Sequence, residues 1–414
     1  MKQMKDSGIE WIGEIPEDWD ITTYRRLLNR RKEYDDQDKQ VLSLTIQGVK
    51  VKNENYGKMA EDFTGHQIVK QGDLVFTPRD FDATPILSGI APCDGCISNL
   101  YFVLYPHNIS ETFIPFINYF MWGVKWGGDI WKRLSYGMRF SYNFQQFGAL
   151  PIAVPPIDTQ RRIADFLDDK CGKIDRYIEK QQKIIDKLKE YKQAVITEAV
   201  TKGLDPDAPM KDSGIEWIGM IPEHWKVMRI KNLLKERNER SEDGIEEPLS
   251  MSQKLGLIPT KFMDTIPNIA SSFIGAKLAY VNDLVFNKLK AHLGVFSVSH
   301  YDGLVSPDYA VYYSTGLANL KYLEYTFKTP QCICEFRKKS SGIADGLTRL
   351  YTSGLFSIYV PFPCIMEQNC IAKHLETKCS EIDSAISKQT SIIEKLTEYK
   401  KSLIYEAVTG KLEV

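Results

Sequence analysis

Short clusters of basic side chains are the residues of this chain whose type and spacing could do chemistry. Residues 336–342 (FRKKSSG) place three consecutive cations before two serines and a glycine. Cationic side chains, hydroxyl groups and free backbone N–H groups all suit phosphate oxygens. Residues 131–137 (WKRLSYG) form a similar stretch in the first half of the chain. The candidate phosphate contacts in and around these stretches are Lys132, Arg133, Arg139, Arg337, Lys338, Lys339, Ser340 and Ser341.

Two polar turns follow the sequence Asp-Leu-Val-Phe, which occurs at residues 73–76 and again at 283–286. The first turn reads TPRDF and the second NKLKAH. Arginine and lysine suit the edge of guanine, and asparagine suits adenine. The turns differ in residue type, as two readers of different sequences should, although ordinary surface hairpins remain an alternative. The candidate residues here are Arg79, Asp80, Asn287, Lys288 and Lys290.

Two further stretches are rich in arginine and lysine, one near the start of each half of the chain. They are candidates for contact with nucleic acid, with a solvated helix face that has acidic neighbours as the alternative. Their residues are Arg25, Arg26, Arg30, Arg31 and Lys32, and then Arg229, Lys231, Lys235, Arg237 and Arg240.

The chain is a tandem duplication. Residues 4–19 (MKDSGIEWIGEIPEDW) return at 210–225 with two changes, Glu14 to Met220 and Asp18 to His224. A second repeated segment, IIDKLKEYKQAVITEAVT, begins at residue 184 and returns in related form at residue 392. The offset is 206 residues for the first block and 208 for the second, so each half carries nearly constant ends. Such ends are expected to dock something shared.

Between the constant ends lies a body of about 150 residues that differs between the halves, although Gly95 and Ser98 fall opposite Gly303 and Ser306. Variable bodies are expected to read different things, and their patterns predict a mixture of strands and helices. The predicted strands are residues 41–46, 73–76, 100–105, 283–286 and 310–313, and the predicted helices are residues 112–122 and 317–326.

The constant tails have the 3/4 apolar spacing of long amphipathic helices. The first is expected to begin at Asp158-Thr159 and to end before Gly203. We expect the two helices to pair in an antiparallel way, with the bodies at opposite ends, rather than to pack each on its own body alone. The predicted helix-pairing and docking residues are Ile174, Ile178, Ile185, Leu188, Tyr191, Ile382, Ile386, Ile393, Leu396 and Tyr399.

Composition and motifs exclude several classes of protein. The 53 Lys and Arg residues balance 54 Asp and Glu residues, so a nucleic-acid surface would have to be a local patch. No apolar run is long enough for a membrane span, no signal segment is apparent, and eight irregularly spaced cysteines are expected to be reduced in a cytoplasmic protein.

Neither a phosphate-binding loop nor a dinucleotide fingerprint occurs. Cys93-x-x-Cys96 and Cys332-x-Cys334 lack the further ligands of a zinc site, so no metal is predicted.

Taken together, the chain resembles the specificity subunits of type I restriction–modification systems. The resemblance covers essentially the whole sequence. It rests on the repeated KDSGIEWIG–IP–W block, on PPIDTQRRIA (155–164) before the first helix, and on the paired KL–EYK…EAVT helices. The second helix start, PFPCIMEQNCIA (361–372), departs from the first.

The resemblance implies an α+β fold with two mixed α/β target recognition domains, joined by two long antiparallel coiled-coil helices as a pseudo-two-fold tandem repeat. The implied domains are target recognition domain 1 at 1–157, helical spacer 1 at 158–203, target recognition domain 2 at 204–363 and helical spacer 2 at 364–414. Each recognition domain would read one half of a bipartite sequence in double-stranded DNA.

The resemblance also implies a division of labour with partner proteins. The helices would dock two modification subunits, which bind S-adenosylmethionine and methylate adenine. Separate restriction subunits would use ATP and Mg to translocate and cleave DNA. The chain itself would be non-catalytic, would hold no cofactor and would act in phage defence. The alternative is a non-catalytic coiled-coil scaffold that binds only proteins.

Overall fold

The computed structural model describes residues 3–35, 40–52, 65–80, 85–128, 130–135, 141–253, 255–263, 273–342 and 348–414. These residues fall into two units. The first comprises Met1–Lys183 and Gln389–Val414, and the second comprises Ile184–Lys388. Each unit therefore combines segments from both copies of the repeat.

Two long helices, α5 (Ile157–Lys202) and α10 (Ile365–Val408), each contribute residues to both units. The other helices of the first unit are α1 (Tyr24–Leu27), α2 (Ile114–Trp126), α3 (Ile130–Arg133) and α4 (Phe144–Gly148). Its strands are β1 (Met4–Asp6), β2 (Glu14–Pro16), β3 (Asp20–Thr23), β4 (Leu28–Arg30), β5 (Tyr34–Asp35), β6 (Leu42–Thr45), β7 (Gly48–Val51), β8 (His66–Val69), β9 (Leu74–Phe76), β10 (Ser88–Ile90), β11 (Gly95–Ile97), β12 (Phe102–Pro106) and β13 (Pro151–Val154).

The second unit repeats this order of elements with local differences. Its own helices are α6 (Ile230–Leu233), α7 (Leu320–Phe327), α8 (Pro330–Lys339) and α9 (Thr352–Phe356), with 3₁₀ turns at Thr260–Phe262 and Ala291–Leu293. Its strands are β14 (Met210–Asp212), β15 (Met220–Pro222), β16 (Lys226–Arg229), β17 (Leu234–Arg237), β18 (Leu249–Ser252), β19 (Gly256–Pro259), β20 (Lys277–Ala279), β21 (Leu284–Asn287), β22 (Phe296–Val298), β23 (Gly303–Val305), β24 (Tyr309–Ser314) and β25 (Tyr359–Phe362).

An antiparallel four-stranded sheet forms the centre of each unit. Its strand order is β10-β9-β12-β4 in the first unit and β22-β21-β24-β17 in the second. The repeated Leu-Val-Phe sequence supplies the inner strands β9 and β21, which are buried on both faces. Alternate side chains therefore enter different cores. Leu74 and Phe76 join the large core of the first unit, whereas Val75 joins a smaller one.

The constant N-terminal block folds as a short hairpin in both units, β1–β2 and β14–β15. Each hairpin packs against the end of the helix that belongs to the other copy of the repeat. In the first unit the Tyr405 hydroxyl donates to the carbonyl of Trp11 at 3.0 Å. In the second unit Trp225, which is fully buried, lies against Gly203 at the end of α5. The near-identity of the block is thus explained by a shared structural contact.

Within each unit, α5 and α10 lie side by side. In the first unit Lys400 contacts Asp175 at 2.7 Å, and in the second Lys192 contacts Asp383 at 2.7 Å. The two ion pairs are equivalent, since 175 and 383, like 192 and 400, differ by 208. In the first unit Ile163 shares a cleft with the chain that follows α10, so the helices are antiparallel there.

Most of the predicted elements are confirmed. The first long helix begins and ends within one residue of the prediction, and the predicted strands and the two predicted body helices appear within a few residues. The structure also explains why glycine occupies the equivalent positions 95 and 303 in the two halves. A Cβ at either position would collide with a backbone carbonyl, that of Gln40 or of Glu247.

Among the residues described, no helix is both long enough and apolar enough to cross a membrane.

A buried ion pair fixes the edge strand of each central sheet. Arg31 donates from Nε and Nη2 to Asp73 at 2.8 and 3.2 Å, and Arg237 donates to Asp283 at 2.7 and 3.2 Å. The hydrogen bonds that Arg31 donates to Asp73 raise the pKa of Arg31 above its ordinary value. Glu33 contacts the same arginine, but 56% of its side chain is exposed.

We expect Asp73→Asn to lower the free energy of unfolding by about 3–5 kcal/mol, because it leaves a largely buried guanidinium without its charge partner. Glu33→Gln is the matched control on the same arginine. It should cost less than about 1 kcal/mol, because the pair that it removes is exposed. Urea denaturation of the full chain measures both, and equal losses for the two variants would contradict this role of the buried pair.

Candidate nucleic-acid interface

A cleft of about 590 Å³ lies beside the edge strand β4 in the first unit. Its wall is formed by the end of β4, by the turn after β9, by the chain before β12 and by α4. The lining residues are Arg30, Pro78, Arg79, Asn99, Leu100, Phe102, Ser141, Tyr142, Asn143, Phe144 and Gln146. The lining residues that the structure describes include two arginines and several amides, so the cleft is rich in hydrogen-bond donors.

Arg30 lies on an aromatic wall of this cleft. Its guanidinium carbon is 4.6 Å from the centroid of the Phe102 ring and 5.8 Å from that of Phe144. Cation–π contacts of this kind hold an arginine in place without consuming its N–H donors. Nε of Arg30 is buried and has no hydrogen-bond partner among the described residues. An unpaired buried donor costs free energy, so the protein leaves this guanidinium group incompletely satisfied.

The equivalent position in the second unit carries the opposite charge. Glu236 lies 206 residues after Arg30 and occupies the same place on the edge strand, next to the repeated Arg–Asp pair. It accepts a hydrogen bond from Thr352 at 2.7 Å and lies 3.5 Å from the buried ammonium of Lys277. Tyr312 donates to the same threonine at 3.0 Å, and burial raises the pKa of this tyrosine. Glu236 is thus satisfied within the protein.

The turn after β9 contributes Arg79 and Asp80, both half-buried. The carbonyl of Pro78 accepts from the backbone of Tyr142 at 2.8 Å, which ties this turn to the cleft. Asp80 has a φ of 60°, in the left-handed region that few residues other than glycine, asparagine and aspartate adopt readily. Arg79 lines the cleft and Asp80 lies next to it, so the structure brings Arg79 together with Arg30.

The corresponding turn in the second unit begins at Asn287, the last residue of β21, and also contains Lys288 and Lys290. The side-chain oxygen of Asn287 accepts from the backbone of Leu289 at 3.1 Å, which shapes the turn. Lys290 is exposed and Lys288 is half-buried. The carbonyl of Lys288 accepts from Leu350 at 3.0 Å, the same tie that Pro78 makes in the first unit.

The basic cluster at 337–339 has a different backbone from the one expected. The sequence suggested free backbone N–H groups, but Arg337, Lys338 and Lys339 form the last turn of α8, where these groups bond within the helix. The Ser340 hydroxyl donates to the carbonyl of Phe336 at 2.7 Å, and the Ser341 N–H donates to Arg349. A helix C-terminus also disfavours anions. Phosphate could be held here only by the three exposed cationic side chains.

The remaining basic candidates lie in the first unit. Lys132 and Arg133 end the short helix α3, and Arg133 lies 3.9 Å from Glu10 with 56% of its side chain exposed. Arg139 lies outside the described residues. Neither Lys132 nor Arg133 lines the cleft around Arg30. Their assignment to DNA stays a prediction.

Sequence reasoning missed what sets Arg30 apart. It placed Arg30 in a basic stretch but did not single it out, because neither its aromatic wall nor its lack of a partner is visible in a linear sequence. The signal that could have found it is the charge reversal against Glu236 when the copies are aligned at the offset of 206. The capping pair Asn143 and Gln146 was also missed.

The helix candidates divide into three groups by burial. Ile174, Ile185 and Ile382 are at most 7% exposed. The half-buried group is Ile178, Leu188, Ile386, Ile393 and Leu396. Tyr191 and Tyr399, at repeat-equivalent positions, are 57% and 58% exposed, so they do not belong to the packed face of their helices.

Cysteine and acidic residues provide no evident metal centre. Across the part of the chain that the structure describes, no three His, Cys, Asp or Glu side chains cluster as a metal site would need. Cys332 is buried while Cys334 is exposed, so this pair does not share one environment.

Two curated proteins of Methanocaldococcus jannaschii are similar to this chain, although no family model matches it. The chain is 24% identical over 430 residues to a protein assigned as the type I restriction enzyme MjaX specificity subunit, across 97% of this chain and 96% of that protein. It is 22% identical over 286 residues to the MjaVIII specificity subunit, across 65% of this chain and 63% of that protein, less than two thirds of its length.

Solved structures share the fold. A chain from a study of complex assembly and conformational transition of the type I R-M system matches 96% of this chain and 99% of its own length, with 14% identity and a TM-score of 0.70. The HsdS subunit of Thermoanaerobacter tengcongensis matches 96% of this chain and 98% of its own length, with 14% identity and a TM-score of 0.50. The resemblance to type I specificity subunits is thus confirmed, as is the mixed α/β fold with long helices.

We expect matched substitutions at the two equivalent positions to lower stability by unequal amounts. Glu236→Gln should lower the free energy of unfolding by about 2–3 kcal/mol, because it leaves the buried Lys277 ammonium facing a neutral group. Arg30→Gln should cost less than about 1 kcal/mol, because no ion pair among the described residues depends on it.

Urea denaturation of the two variants measures the difference. A loss for Arg30→Gln as large as that for Glu236→Gln would show that Arg30 is part of the folded scaffold, and would contradict the distinction drawn between the two positions.

Proposed function

We propose that this chain is the DNA sequence-specificity subunit of a type I restriction–modification complex. The observation that carries the proposal is the similarity to a specificity subunit across 97% of the chain, which includes both copies of the repeat. A coiled-coil protein that binds only other proteins would not need two bodies that have the same fold but different polar surfaces. The similarity therefore favours the DNA-reading function over that alternative.

Each body is assigned one half of a bipartite DNA target. Each body contains its own copy of the central sheet and of the Arg–Asp pair that fixes the edge strand. The two bodies would therefore present the surface beside that strand in the same way. They differ in the groups at the surface beside that strand, as the contrast between Arg30 and Glu236 illustrates. Two readers built on one scaffold but with different side chains suit two different half-sites.

The two long helices are assigned the role of a spacer, as an antiparallel coiled coil with pseudo-two-fold symmetry between the copies of the repeat. The equivalent ion pairs of Lys400 with Asp175 and Lys192 with Asp383 support this assignment, since each joins one copy to the other. Half-sites one turn of DNA apart are separated by about 34–36 Å, which a helix of this length can span.

The helices also offer matching sites for two copies of one partner. Ile184 and Tyr191 on α5 are 41% and 57% exposed, and their repeat equivalents Ile392 and Tyr399 on α10 are 40% and 58% exposed. Residues seven apart lie on one face of a helix. We assign these faces to two modification subunits. Those subunits would bind S-adenosylmethionine, and restriction subunits would use ATP and Mg, so that this chain contributes recognition rather than catalysis.

Binding of the chain, in complex with its modification subunits, to duplex DNA should weaken steeply as salt rises. Each phosphate contact contributes a slope of about −0.9 in a plot of log K against log salt concentration. Replacing Arg337, Lys338 and Lys339 together by glutamine should make the slope shallower by about 2–3 if all three contact phosphate. Titration of labelled duplexes at several salt concentrations measures this.

A wild-type complex whose binding does not depend on salt would contradict the proposed function. A triple variant with an unchanged slope would contradict only the assignment of these three side chains.

Truncation of an exposed helix face should weaken partner binding without unfolding the chain. We expect the double variant Ile184→Ala, Tyr191→Ala to lose at least about tenfold in affinity for the modification subunit, since exposed aromatic anchors carry much of the energy of an interface. The matched control is Ile185→Ala, at the neighbouring residue that is only 5% exposed. It should instead lower the free energy of unfolding by about 2–4 kcal/mol.

Calorimetric titration with purified modification subunit and urea denaturation separate the two effects. Wild-type affinity in the double variant would contradict the assignment of this face.

A further inference from the structure

We propose that Arg30 is a specificity-determining residue that reads an acceptor-rich base edge, that of guanine, in one of the two half-sites. The inference rests on the proposed function and deepens it, because it assigns base recognition to the cleft around Arg30. Neither the basic sequence motifs nor the similar proteins identify this cleft.

The strongest polar groups that line the cleft are the guanidinium groups of Arg30 and Arg79, which are donors. Asn143 and Gln146 form a capping box in which the side-chain oxygen of each accepts from the backbone of the other, at 2.8 and 2.9 Å. Each of these oxygens thus already accepts one hydrogen bond, whereas no hydrogen bond among the described residues uses the side-chain NH₂ groups. Arg30 and Arg79 have no acceptor at all. A ligand that pairs with the two arginines must present acceptors.

The guanidinium group of Arg30 is held in place, but its hydrogen-bonding capacity is not satisfied. The Phe102 and Phe144 rings, at 4.6 and 5.8 Å, position its guanidinium group, while its buried Nε lacks a partner among the described residues. The neighbouring Arg31 shows the contrast, since it is committed to Asp73. A planar fork of donors that is fixed in orientation is the group that pairs with O6 and N7 of guanine in the major groove.

The comparison between the two bodies favours a base over a phosphate. Both bodies must hold the DNA backbone, so residues that contact phosphate should keep their charge in both. The Arg–Asp pair next to this position is retained with nearly the same distances, yet the position itself changes from Arg30 to Glu236. Glu236 is used inside its own body, whereas Arg30 has no such partner among the described residues, so we assign Arg30 to a base edge rather than to the phosphate backbone.

The test compares Arg30→Lys and Arg30→Gln in the complete complex with its modification subunit. Methylated adenines are mapped by single-molecule sequencing, and binding is measured for duplexes altered one base pair at a time. Lysine keeps the charge but loses the fork, so both variants should lose about 10- to 100-fold discrimination at one position of one half-site. The other half-site should stay unchanged and serves as the internal control.

Two results would overturn the inference while leaving the proposed function intact. One is a wild-type recognition sequence in both variants. The other is wild-type behaviour of Arg30→Lys together with a uniform weakening of Arg30→Gln on all duplexes and a salt slope shallower by about one, the signature of a phosphate contact. If Arg30→Gln does not assemble, Arg30→Lys decides alone. A wild-type complex with no split recognition sequence would instead overturn the proposed function, and the inference with it.

Discussion

A long amphipathic helix has to bury its apolar stripe, and in this protein neither copy of the repeat can do so alone. The core of the first unit combines Ile163 and Leu167 from the first long helix with Leu403 and Ile404 from the second. The core of the second unit combines Val200 with residues of the other helix in the same way. The repeated hairpin adds to this exchange, because each copy packs on the helix end that the other copy supplies. The near-identity of the repeated ends follows from this reciprocal packing, and it leaves the bodies free to diverge.

Divergence is confined because the scaffold of each body is fixed by buried contacts. The Leu-Val-Phe strand sends alternate side chains into two cores, and the buried Arg–Asp pair locks the edge strand beside it. Side chains one residue away from that pair can then change without moving the backbone. Glu236 is tied into a network with Thr352 and Lys277, whereas Arg30 lies on aromatic rings beside an open cleft. One scaffold thus supports a closed polar network in one body and a donor-rich cleft in the other.

Much of this architecture could be predicted from the sequence, because repeats and periodicity are local signals. The duplication, the long helices and the buried strand at 73–76 all follow from such patterns. Helix α8 is not among the predicted helices, although Thr329 and Pro330 carry the usual start signals, because the stretch 336–342 suggests backbone N–H groups that are free to bind phosphate. The cleft could not be predicted, since it depends on the pairing of β4 with β12 and on the placement of α4, which bring together residues far apart in sequence. The exposure of Tyr191 and Tyr399 likewise depends on how the helices are packed.

The central claim is that one chain carries two readers of DNA, one in each body. Co-expression of the wild-type chain with its modification subunit, followed by mapping of methylated adenines by single-molecule sequencing, tests this most directly. The account predicts a split recognition sequence, with two short half-sites separated by a gap of fixed length whose bases are not read. A single continuous recognition sequence, or a stable complex that methylates no defined sequence, would contradict it.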